Sequence, residues 1–572
     1  MASEPLRLDV SQRDGEIHLS FPFHPAWVQA IKRLKVRAFD PKTRAWVVPE
    51  RLAPDLLAHL ESADVPAEAL EAVRAIAAEA LSRTAASNVR AVEAYERAIP
   101  RLAERYPGLF THQREGIEFL LRPRPYRGAL LADDMGLGKT RQALIAAHEA
   151  HPRGRMLVVC PASLKLNWER EIHAVLGAQE VSVLGRDEGL ARWTIVNYDR
   201  LRSHQTELDA EDWACLILDE AHYLKNRHSQ RSLLVLGGEH RPRKRGTLPP
   251  GRIRGLVERA ERVILLTGTP ITNRPLDLFA LLRAIAHPLG DDLLRYAVRY
   301  CAAFQTEWGW DMGGASHLDE LHDRLRDVLL RRSKDEVLDL PPKLRTYMPV
   351  EVDLVAYRKV WLDYVQLLAK RKRRVPRALL LAEVAKLRHA AALAKVPAAI
   401  AHVEAVLEAG EKVIVFTCHT GVVEALMRRF GPSAVRLTGE DGPAQRQAAV
   451  DAFQNDPEVR LFVGNLVAAG VGVSLTAATQ VLFVDYSFVP AEHLQAEDRP
   501  YRIGQSNAVT VTYLSALGTL DEEIERLLAQ KLAVVSEAIE GHLPQLQDSF
   551  LDDLLAVLAR EPGMQPGSGE SA

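Results

Sequence analysis

The chain has 572 residues, of which 47% are hydrophobic and 26% are charged, and its formal net charge is −2. The length allows three or more domains with substantial cores, and the composition excludes a disordered or fibrous chain. A net charge this close to zero excludes a global basic field, so any nucleic-acid binding must depend on local patches.

Cysteine usage and hydropathy indicate the cellular compartment in which the protein is expected. The four cysteines are far apart in the chain, and no zinc-ligand spacing is present. Three of them lie in apolar, strand-like runs, which predicts buried thiols in a reducing compartment. Because the sequence opens without an apolar signal region and has no run of about 18 apolar residues, we expect a protein of the bacterial cytoplasm or nucleoid with no membrane anchor.

Residues 1–60 predict a small α+β module with a strand from residue 16, a helix, a pair of strands within residues 39–49, and a second helix. Basic residues surround Trp46, a mixture suited to DNA phosphates and base stacking. The alternative is that Trp46 belongs to the core and that the charges form a solvated face. Residues 61–105 are rich in Ala, Glu and Arg and predict a helical linker.

A glycine-rich stretch at residues 133–140 follows an apolar run and opens a helical segment. A strand, a glycine loop and a helix in this order suit a polyphosphate, because backbone N–H groups and the helix N-terminus attract its charge. Asp133 stands where such a loop usually has its first glycine. The predicted nucleotide-binding residues are Gln113, Gly136, Leu137, Gly138, Lys139 and Thr140.

Three of these residues have distinct predicted roles. Lys139 is predicted to reach the β- and γ-phosphates and the Thr140 hydroxyl to hold Mg²⁺, so the predicted cofactors are ATP and Mg²⁺. Gln113 is suited to hydrogen-bonding an adenine edge from a short helix beside the loop. The alternative is that Gln113 is an ordinary surface residue, as a lone glutamine usually is.

Further strands alternate with helices after the loop, which predicts a parallel sheet whose carboxyl edge holds the ligand. The strand at residues 215–218 ends at Asp219 and Glu220. Asp219 is predicted to hold Mg²⁺ through water, and Glu220 to polarise the attacking water. A later strand ends in small residues that are predicted to hydrogen-bond this acidic pair and to sense the γ-phosphate: Thr267, Gly268 and Thr269.

Two runs of basic residues, 241–254 and 370–374, are candidate DNA contacts. The first also contains Pro and Gly and predicts an exposed loop, whereas the second is predicted on a helix. Most charge runs are only solvated surface, and that alternative stays open for both. The individual residues predicted to bind DNA are Trp46, Lys165, Trp168, Arg243, Lys244 and Arg245.

A second α/β region is predicted over residues 396–540, with three strands between residues 413 and 485. Arg499 and Arg502 follow, three apart on a predicted helix, so that both guanidiniums lie on one face. Across a cleft from the phosphate loop they would act as arginine fingers, and closure of the two regions would couple hydrolysis to movement. The coupling residues predicted in this region are Gly470, Gly472, Gln495 and Asp498.

This series of motifs resembles the superfamily-two helicases, specifically the SWI/SNF-type DNA-dependent ATPases. The last motif of that family typically reads QAxDRxHRIGQ, and residues 495–505 match it except that Tyr501 replaces the histidine. Residues 331–343 resemble the family's link between lobes. Residues 300–321 resemble a segment typical of the annealing-helicase, fork-remodelling branch, and residues 16–60 resemble that branch's small HARP module.

The resemblance implies two RecA-like parallel-sheet lobes with helical insertions between them, beside the small N-terminal α+β module. The implied segments are lobe 1 at residues 106–290, a helical protrusion and inter-lobe linker at 291–395, lobe 2 at 396–540 and a tail at 541–572. The resemblance also implies ATP-driven translocation on duplex, forked or junction DNA. It further implies reannealing or branch migration rather than strand separation, in DNA repair or replication-fork maintenance.

Two other functions stay open. A non-catalytic scaffold that binds DNA or protein through the same fold predicts the loss of at least one catalytic residue, and none is lost. An RNA helicase of related architecture fits the inter-lobe stretch and the last motif less well. Separately, an acidic and apolar segment at residues 550–558 suits a helix that docks a protein partner, although such segments more often pack on their own domain.

Overall fold

The structure is a computed structural model that describes residues 8–528 with short gaps. The gaps are residues 14–15, 35–36, 41–42, 64, 69, 241–250, 269–274, 308, 371–376 and 467–472. The described residues form a four-stranded sheet near the N-terminus and two larger parallel sheets of seven and six strands. The predicted α/β class with two parallel-sheet lobes is therefore confirmed.

The N-terminal module is an antiparallel sheet with helices. Its elements are β1 (Asp9–Arg13), β2 (Glu16–Ser20), α1 (Pro25–Arg33), β3 (Ala38–Asp40), β4 (Ala45–Pro49) and α2 (Ala53–Glu61). The strand order is β1-β2-β4-β3, and all three pairings are antiparallel. In β2, Ile17 and Leu19 are fully buried while Glu16, His18 and Ser20 are partly exposed, which is the period-two pattern of a sheet with one face on a core. Sequence reasoning missed β1 because four of its five residues are polar.

A long helix, α3 (Glu71–Ala98), joins this module to the first parallel sheet. Arg90 of α3 pairs with Glu261 of the lobe at 2.7 Å. A second ion pair joins Glu16 of the module to Arg252. The module is therefore held against the lobe by polar contacts as well as by the chain itself.

Lobe 1 contains the first parallel sheet. The strands of this region are β5 (Gly128–Leu131), β6 (Met156–Cys160), β7 (Val181–Val183), β8 (Trp193–Asn197), β9 (Trp213–Leu218), β10 (Gly238–His240), β11 (Gly251–Ile253), β12 (Ala260–Leu266), β13 (Phe304–Thr306), β14 (Gly309–Asp311) and β15 (Leu329–Leu330). Seven of them form the sheet in the order β15-β5-β12-β9-β6-β8-β7. The strands β10 and β11, and likewise β13 and β14, form small antiparallel pairs.

The helices of this region are α4 (Leu102–Arg105), α5 (Thr111–Leu121), α6 (Lys139–Ala150), α7 (Lys165–Leu176), α8 (Gln205–Asp209), α9 (Gln230–Leu236), α10 (Leu276–Ala284), α11 (Leu293–Tyr300), α12 (Leu318–Leu325) and α13 (Lys334–Val337). Helices pack on both faces of the sheet. In β6, Leu157 and Val159 face one core while Met156, Val158 and Cys160 face the other. A strand buried on both faces reads as a continuous apolar run in the sequence, as β6 does.

Lobe 2 contains the second parallel sheet. Its strands are β16 (Lys343–Val350), β17 (Val413–Thr417), β18 (Ala434–Leu437), β19 (Leu461–Asn465), β20 (Gln480–Phe483) and β21 (Val509–Ala516), in the order β16-β21-β20-β17-β19-β18. The helices are α14 (Val355–Lys370), α15 (Arg377–Ala394), α16 (Val396–Glu408), α17 (Thr420–Phe430), α18 (Pro443–Asn455) and α19 (Pro490–Glu497).

Two sequence-based expectations differ from this fold. The segment predicted as a helical link between the lobes also supplies an edge strand to each sheet, β15 beside β5 and β16 beside β21. The predicted loop at 241–254 ends in a strand, because its last residues form β11; residues 241–250 lie outside the described residues.

Cys160, Cys215 and Cys301 are buried, Cys418 is partly buried, and all four thiols are free. Over the described ranges, no single helix is long and apolar enough to cross a membrane. One bent helix pair, Leu379–Ala394 with Val396–Glu408, meets that test by length and composition only.

Candidate active site between the lobes

The phosphate loop connects β5 to α6 at the carboxyl edge of the first sheet. Gly136 and Gly138 have φ angles of 86° and 77°, in the left-handed region that favours glycine. A Cβ on Gly138 would lie 2.3 Å from the Gln113 Nε2 atom, so this position also has no room for a side chain. The helix begins at Lys139, and its first backbone N–H groups therefore face the loop.

The Lys139 ammonium is bonded to the loop and interacts electrostatically with the acidic pair that follows β9. It donates hydrogen bonds to the backbone carbonyl oxygens of Asp133 at 2.7 Å and Asp134 at 3.1 Å. Burial lowers the pKa of Lys139, and nearby carboxylates, Glu220 first among them, oppose that shift. The ammonium is thus close enough to interact with both the phosphate loop and the acidic pair.

Gln113 is buried beneath the loop, so the surface alternative for this residue is wrong. Its Oε1 accepts a hydrogen bond from the Phe110 N–H at 3.2 Å, and its Nε2 donates to the Leu137 carbonyl at 3.3 Å. The amide therefore fixes the loop to the start of α5. One amide hydrogen remains for another acceptor, and a contact with adenine stays a prediction.

Asp133, which replaces the usual first glycine of the loop, is fully buried and paired with an arginine from the inter-lobe stretch. Arg332 Nη2 lies 2.6 Å from Asp133 Oδ2, and Arg332 Nε lies 3.1 Å from Oδ1. The same guanidinium donates to the carbonyl oxygen of His112 at 2.6 Å. A two-pronged, charge-assisted contact of this kind fixes the orientation of both partners. Asp133 therefore ties the loop to the segment that leads into lobe 2.

Asp219 follows β9 at the same edge of the sheet. Its Oδ2 accepts a hydrogen bond from the Trp168 indole Nε1 at 2.8 Å, and its Oδ1 accepts one from the Glu220 N–H at 3.0 Å. Burial and the adjacent Glu220 raise the pKa of Asp219 to about 6, although the indole hydrogen bond acts to lower it. Because the Trp168 side chain is fully buried, the prediction that it contacts DNA is wrong; it orients Asp219 instead.

Glu220 adopts a left-handed backbone conformation with φ 48° and ψ 50°, which is uncommon for a residue with a side chain. The His222 Nδ1 atom lies 3.3 Å from Glu220 Oε2 and 3.2 Å from Thr267 Oγ1. Burial acts to raise the pKa of Glu220, but His222 and the charges of Lys139 and Arg499 outweigh it, and the net shift is downward. An ionised carboxylate is therefore linked through His222 to the end of β12.

Arg499 and Arg502 both reach the cleft, but not from a helix. The predicted helix is wrong in this respect, because α19 ends at Glu497 and the arginines lie in the turns after it. Arg499 is buried, and burial followed by repulsion from Arg502 lowers its pKa to about 10. A Cβ on Gly136 would lie 2.8 Å from the Arg502 Cβ, so lobe 2 is in close contact with the phosphate loop.

Lys334 was not singled out by sequence reasoning, yet it contacts both lobes. Its Nζ donates to the Tyr501 carbonyl oxygen at 2.6 Å and lies 2.9 Å from Asp498 Oδ2. Its backbone N–H donates to Asp134 Oδ2 in the phosphate loop at 3.2 Å. Lys343 lies 3.2 Å from the other Asp498 oxygen, and both ammoniums lie 5.1 Å from the centre of the Tyr501 ring. Tyr501, which departs from the family motif, therefore lies between two cations.

Gly268 also borders the loop, since a Cβ there would lie 3.8 Å from the Lys139 Nζ atom. Its carbonyl oxygen accepts a hydrogen bond from Arg331 Nη1 at 3.4 Å. Thr140 is half-buried in the first turn of α6, and Gln495 is half-buried on α19. The basic residues at 331, 332 and 334 thus all contact the loop or its neighbours. Their only signal in the sequence was the resemblance of this stretch to the family's inter-lobe link.

Only some of the residues predicted to bind DNA lie within the described part of the chain. Lys165 donates to the Leu184 carbonyl oxygen at 3.1 Å. Trp46 is half-buried against the N-terminal core and lies 5.3 Å from the exposed Phe39 ring. Six predicted site residues lie outside the described residues: Thr269, Gly470, Gly472, Arg243, Lys244 and Arg245.

Two parallel-sheet lobes that meet at a glycine loop, an acidic pair and two arginines define a two-lobed, helicase-type ATPase. The SNF2-related domain family matches residues 112–243 and 257–378, and the helicase conserved C-terminal domain family matches residues 396–504. The chain belongs to the SNF2-related family of the SWI/SNF type, in its annealing-helicase branch.

Two sequence relatives support that membership. The chain is 30% identical over 596 aligned positions to a Caenorhabditis elegans protein named SWI/SNF-related matrix-associated actin-dependent regulator of chromatin subfamily A-like protein 1 homolog, covering 99% of this chain and 79% of that protein. It is 33% identical over 465 positions to the mouse (Mus musculus) DNA annealing helicase and endonuclease ZRANB3, covering 77% of this chain but only 41% of that protein. The solved SWI2/SNF2 ATPase core of Sulfolobus solfataricus in complex with dsDNA matches at 24% identity and a TM-score of 0.35, covering 79% of this chain and 96% of that one.

Proposed function

We propose that this chain hydrolyses ATP between its lobes in response to DNA and uses lobe movement to travel along duplex, forked or junction DNA and remodel or reanneal it. The observation that carries the proposal is the contact between Gly136 of the phosphate loop and Arg502 of lobe 2. At this contact the phosphate loop, which is proposed to bind the nucleotide, meets the arginine segment, which is proposed to stabilise charge during hydrolysis. A relative named as a DNA annealing helicase supports DNA as the partner. DNA repair or replication-fork maintenance is the proposed setting.

The proposed phosphate-binding residues are those of the loop, with Lys139 on the β- and γ-phosphates and Gln113 on the adenine. Thr140 and Asp219 would hold Mg²⁺, which neutralises charge on the transferred phosphoryl group when it is bound. Within the described ranges, no group of three or more His, Cys, Asp or Glu side chains is arranged to hold a metal alone. A hydroxyl and a buried carboxylate nevertheless fit this ion, because nucleotide-site Mg²⁺ usually takes one or two protein oxygens together with phosphate oxygens.

Glu220 is proposed to polarise the attacking water. The proposal rests on its ionised state and its place beside Lys139 and Asp219. Arg499 and Arg502 are proposed to stabilise charge on the transferred phosphoryl group, an effect of about 10³- to 10⁵-fold in rate for arginine fingers. These residues come from both lobes, so hydrolysis would require the cleft to be closed.

Coupling between the lobes is proposed to pass through Lys334. Its backbone is bonded to the phosphate loop while its ammonium is bonded to Asp498 and Tyr501 of lobe 2. A shift of the loop on hydrolysis would therefore act directly on the arginine segment. Thr267, a predicted coupling residue of lobe 1, would act through its contact with His222. Gly268 and Thr269 are proposed to take part with it. Gln495, Gly470 and Gly472 are proposed to take part from lobe 2.

The N-terminal module, residues 1–60, is proposed to recognise forked DNA. Phe39 beside Trp46 is 48% exposed, and an exposed aromatic ring next to basic residues suits base stacking. Lys165 and the basic residues Arg243, Lys244 and Arg245 are proposed to contact the duplex. The tail at 541–572 is proposed to dock a protein partner.

The test is the steady-state ATPase rate of the full chain with no DNA and with single-stranded, blunt duplex and forked DNA, with Lys139→Ala as the blank. We expect stimulation that is greatest on forks and is weakened when residues 1–60 are deleted. Equal stimulation by every duplex would support a DNA-stimulated ATPase and contradict the proposed preference for forks. No stimulation by any DNA, or near-normal turnover by Lys139→Ala, would overturn the proposed function.

A further inference from the structure

A basic cavity lies at the opposite edge of the first sheet from the phosphate loop. It is bounded by α3, by the segment that enters β5 at Gly128, and by the end of α6 at Ala150. Because α6 starts at the phosphate loop and has 12 residues, the cavity lies about 18 Å from that loop along the helix. It is therefore distinct from the proposed ATP site.

Positive charge dominates the lining of this cavity. Five arginines line it: Arg90, Arg122, Arg124, Arg127 and Arg262. His151 also lines it, but burial lowers the pKa of that imidazole to about 4, so it adds no charge at neutral pH. Glu261 is the one carboxylate among its described lining residues, and it pairs with Arg90 at 2.7 Å. Glu118, which is not a lining residue, pairs with Arg122 at 3.8 Å. These two carboxylates do not balance the charges of Arg124 and Arg262.

Two of the guanidiniums, those of Arg124 and Arg262, are half-buried and make no ion pair with any carboxylate in the part of the chain that the structure describes. Arg124 donates instead to the backbone carbonyl oxygen of Asp327 at 2.5 Å, and Arg262 donates to that of Leu120 at 2.6 Å. Backbone carbonyls satisfy N–H groups but do not neutralise a charge that has been withdrawn from water. Burial, followed by repulsion from neighbouring guanidiniums, lowers the pKa of Arg124 to about 10.

Two buried atoms of the lining residues also lack a hydrogen-bond partner among the described residues. They are Arg124 Nη2 and His151 Nε2. A guanidinium nitrogen can only donate, and buried donors without an acceptor are uncommon in folded proteins. Unbalanced charge and an unmet donor at one cavity both indicate a missing anionic acceptor.

We propose that this cavity binds a phosphate group. Planar guanidiniums match phosphate oxygens in geometry and charge. The accessible volume is about 50 Å³, whereas one buried water needs roughly 10–15 Å³, so a single tetrahedral oxyanion fits. The phosphate belongs either to the backbone of bound DNA or to free phosphate. In both cases it would clamp α3, and with it the N-terminal module, to lobe 1.

The first arm of the test is isothermal titration of inorganic phosphate into the full chain, comparing wild type with Arg124→Gln and Arg326→Gln. Arg326 is the matched control because it is 71% exposed and pairs with Asp323 on α12. Its replacement removes one positive charge at a position outside the cavity. Loss of a charge-assisted hydrogen bond should weaken phosphate binding about tenfold or more in Arg124→Gln, and Arg326→Gln should bind like wild type. Any phosphate bound at the ATP site is common to all three chains, and the titration needs no ATP hydrolysis.

The second arm separates the two sources of phosphate. The slope of log affinity for duplex DNA against log salt should fall by about one in Arg124→Gln if a DNA phosphate occupies the cavity. An unchanged slope with weakened binding of inorganic phosphate would assign the site to free phosphate. Equal behaviour of Arg124→Gln and Arg326→Gln in both arms would overturn the proposal. Arg90→Gln repeats the test on a 57% exposed side chain if Arg124→Gln does not fold.

Discussion

Replacing Trp168 by Phe removes one hydrogen bond from the proposed Mg²⁺ ligand and leaves an aromatic ring in the core. The indole donates to Asp219 Oδ2 at 2.8 Å from a fully buried position. A hydrogen bond to a charged acceptor is worth about 1.5–3 kcal/mol, and one pH unit of pKa change corresponds to about 1.36 kcal/mol. Losing this donor should therefore raise the pKa of Asp219, which is about 6 in the structure, by about one to two pH units.

The ionised form of Asp219 is the one that would hold Mg²⁺, so activity should be lost as the pH falls through this pKa. In Trp168→Phe the acid limb of the DNA-stimulated ATPase profile should move up from near pH 6 to about pH 7–8. The rates of the two chains should converge at higher pH, where both carboxylates are ionised. Because the folded pKa already lies above the ordinary value, raising it further should also reduce folding stability at neutral pH and leave it unchanged in acid.

Trp193→Phe is the matched control. Trp193 is fully buried in the same core of lobe 1, and within the described residues its indole nitrogen has no hydrogen-bond partner. The control therefore loses the same volume without removing a donor from a carboxylate. An acid limb that stays in place in Trp168→Phe, or one that moves equally in Trp193→Phe, would refute the reasoning.

Three further substitutions test the inter-lobe contacts. Arg332→Met removes the counter-charge of the fully buried Asp133 and should lower the free energy of unfolding of lobe 1 by about 3–5 kcal/mol in urea denaturation. Lys334→Gln removes buried contacts with lobe 2, so the DNA-stimulated kcat should fall about tenfold or more, by analogy with other charged hydrogen bonds, while the Kd for ATP changes little. Arg502→Ala should slow hydrolysis by about 10³-fold with a much smaller effect on ATP affinity, because an arginine finger acts on the transition state.

Each of these has its own check. Adding Asp133→Asn to Arg332→Met should recover much of the lost stability, since neither charge then remains buried alone; no recovery would mean that Arg332 acts through other contacts. An unchanged kcat in Lys334→Gln would remove that residue from the coupling path. Equal losses of rate and of ATP affinity in Arg502→Ala would make that arginine a binding residue. Arg326→Ala, on an exposed surface, is the control for charge loss.

Local patterns predicted much of this protein. The strand β9 ends at Leu218 as predicted, because a strand buried on both faces is apolar throughout and two carboxylates follow it in the sequence. The glycine loop, the acidic pair and the two arginines were each recognisable from residues that are adjacent in the sequence. The structure brings all three to one cleft. Even the error at Arg499 had a local signal, since Pro500 disfavours a helical residue before it.

Partners of buried charges were beyond the reach of the sequence, and only the tertiary structure decided them. Trp168 is 51 positions from Asp219, Lys334 is 167 positions from Tyr501, and Arg332 is 199 positions from Asp133. Nothing in the residues beside Trp168 distinguishes an indole that stacks on DNA from one that orients a carboxylate. The fold makes that distinction, because it sets which polar groups leave water together and must therefore satisfy one another.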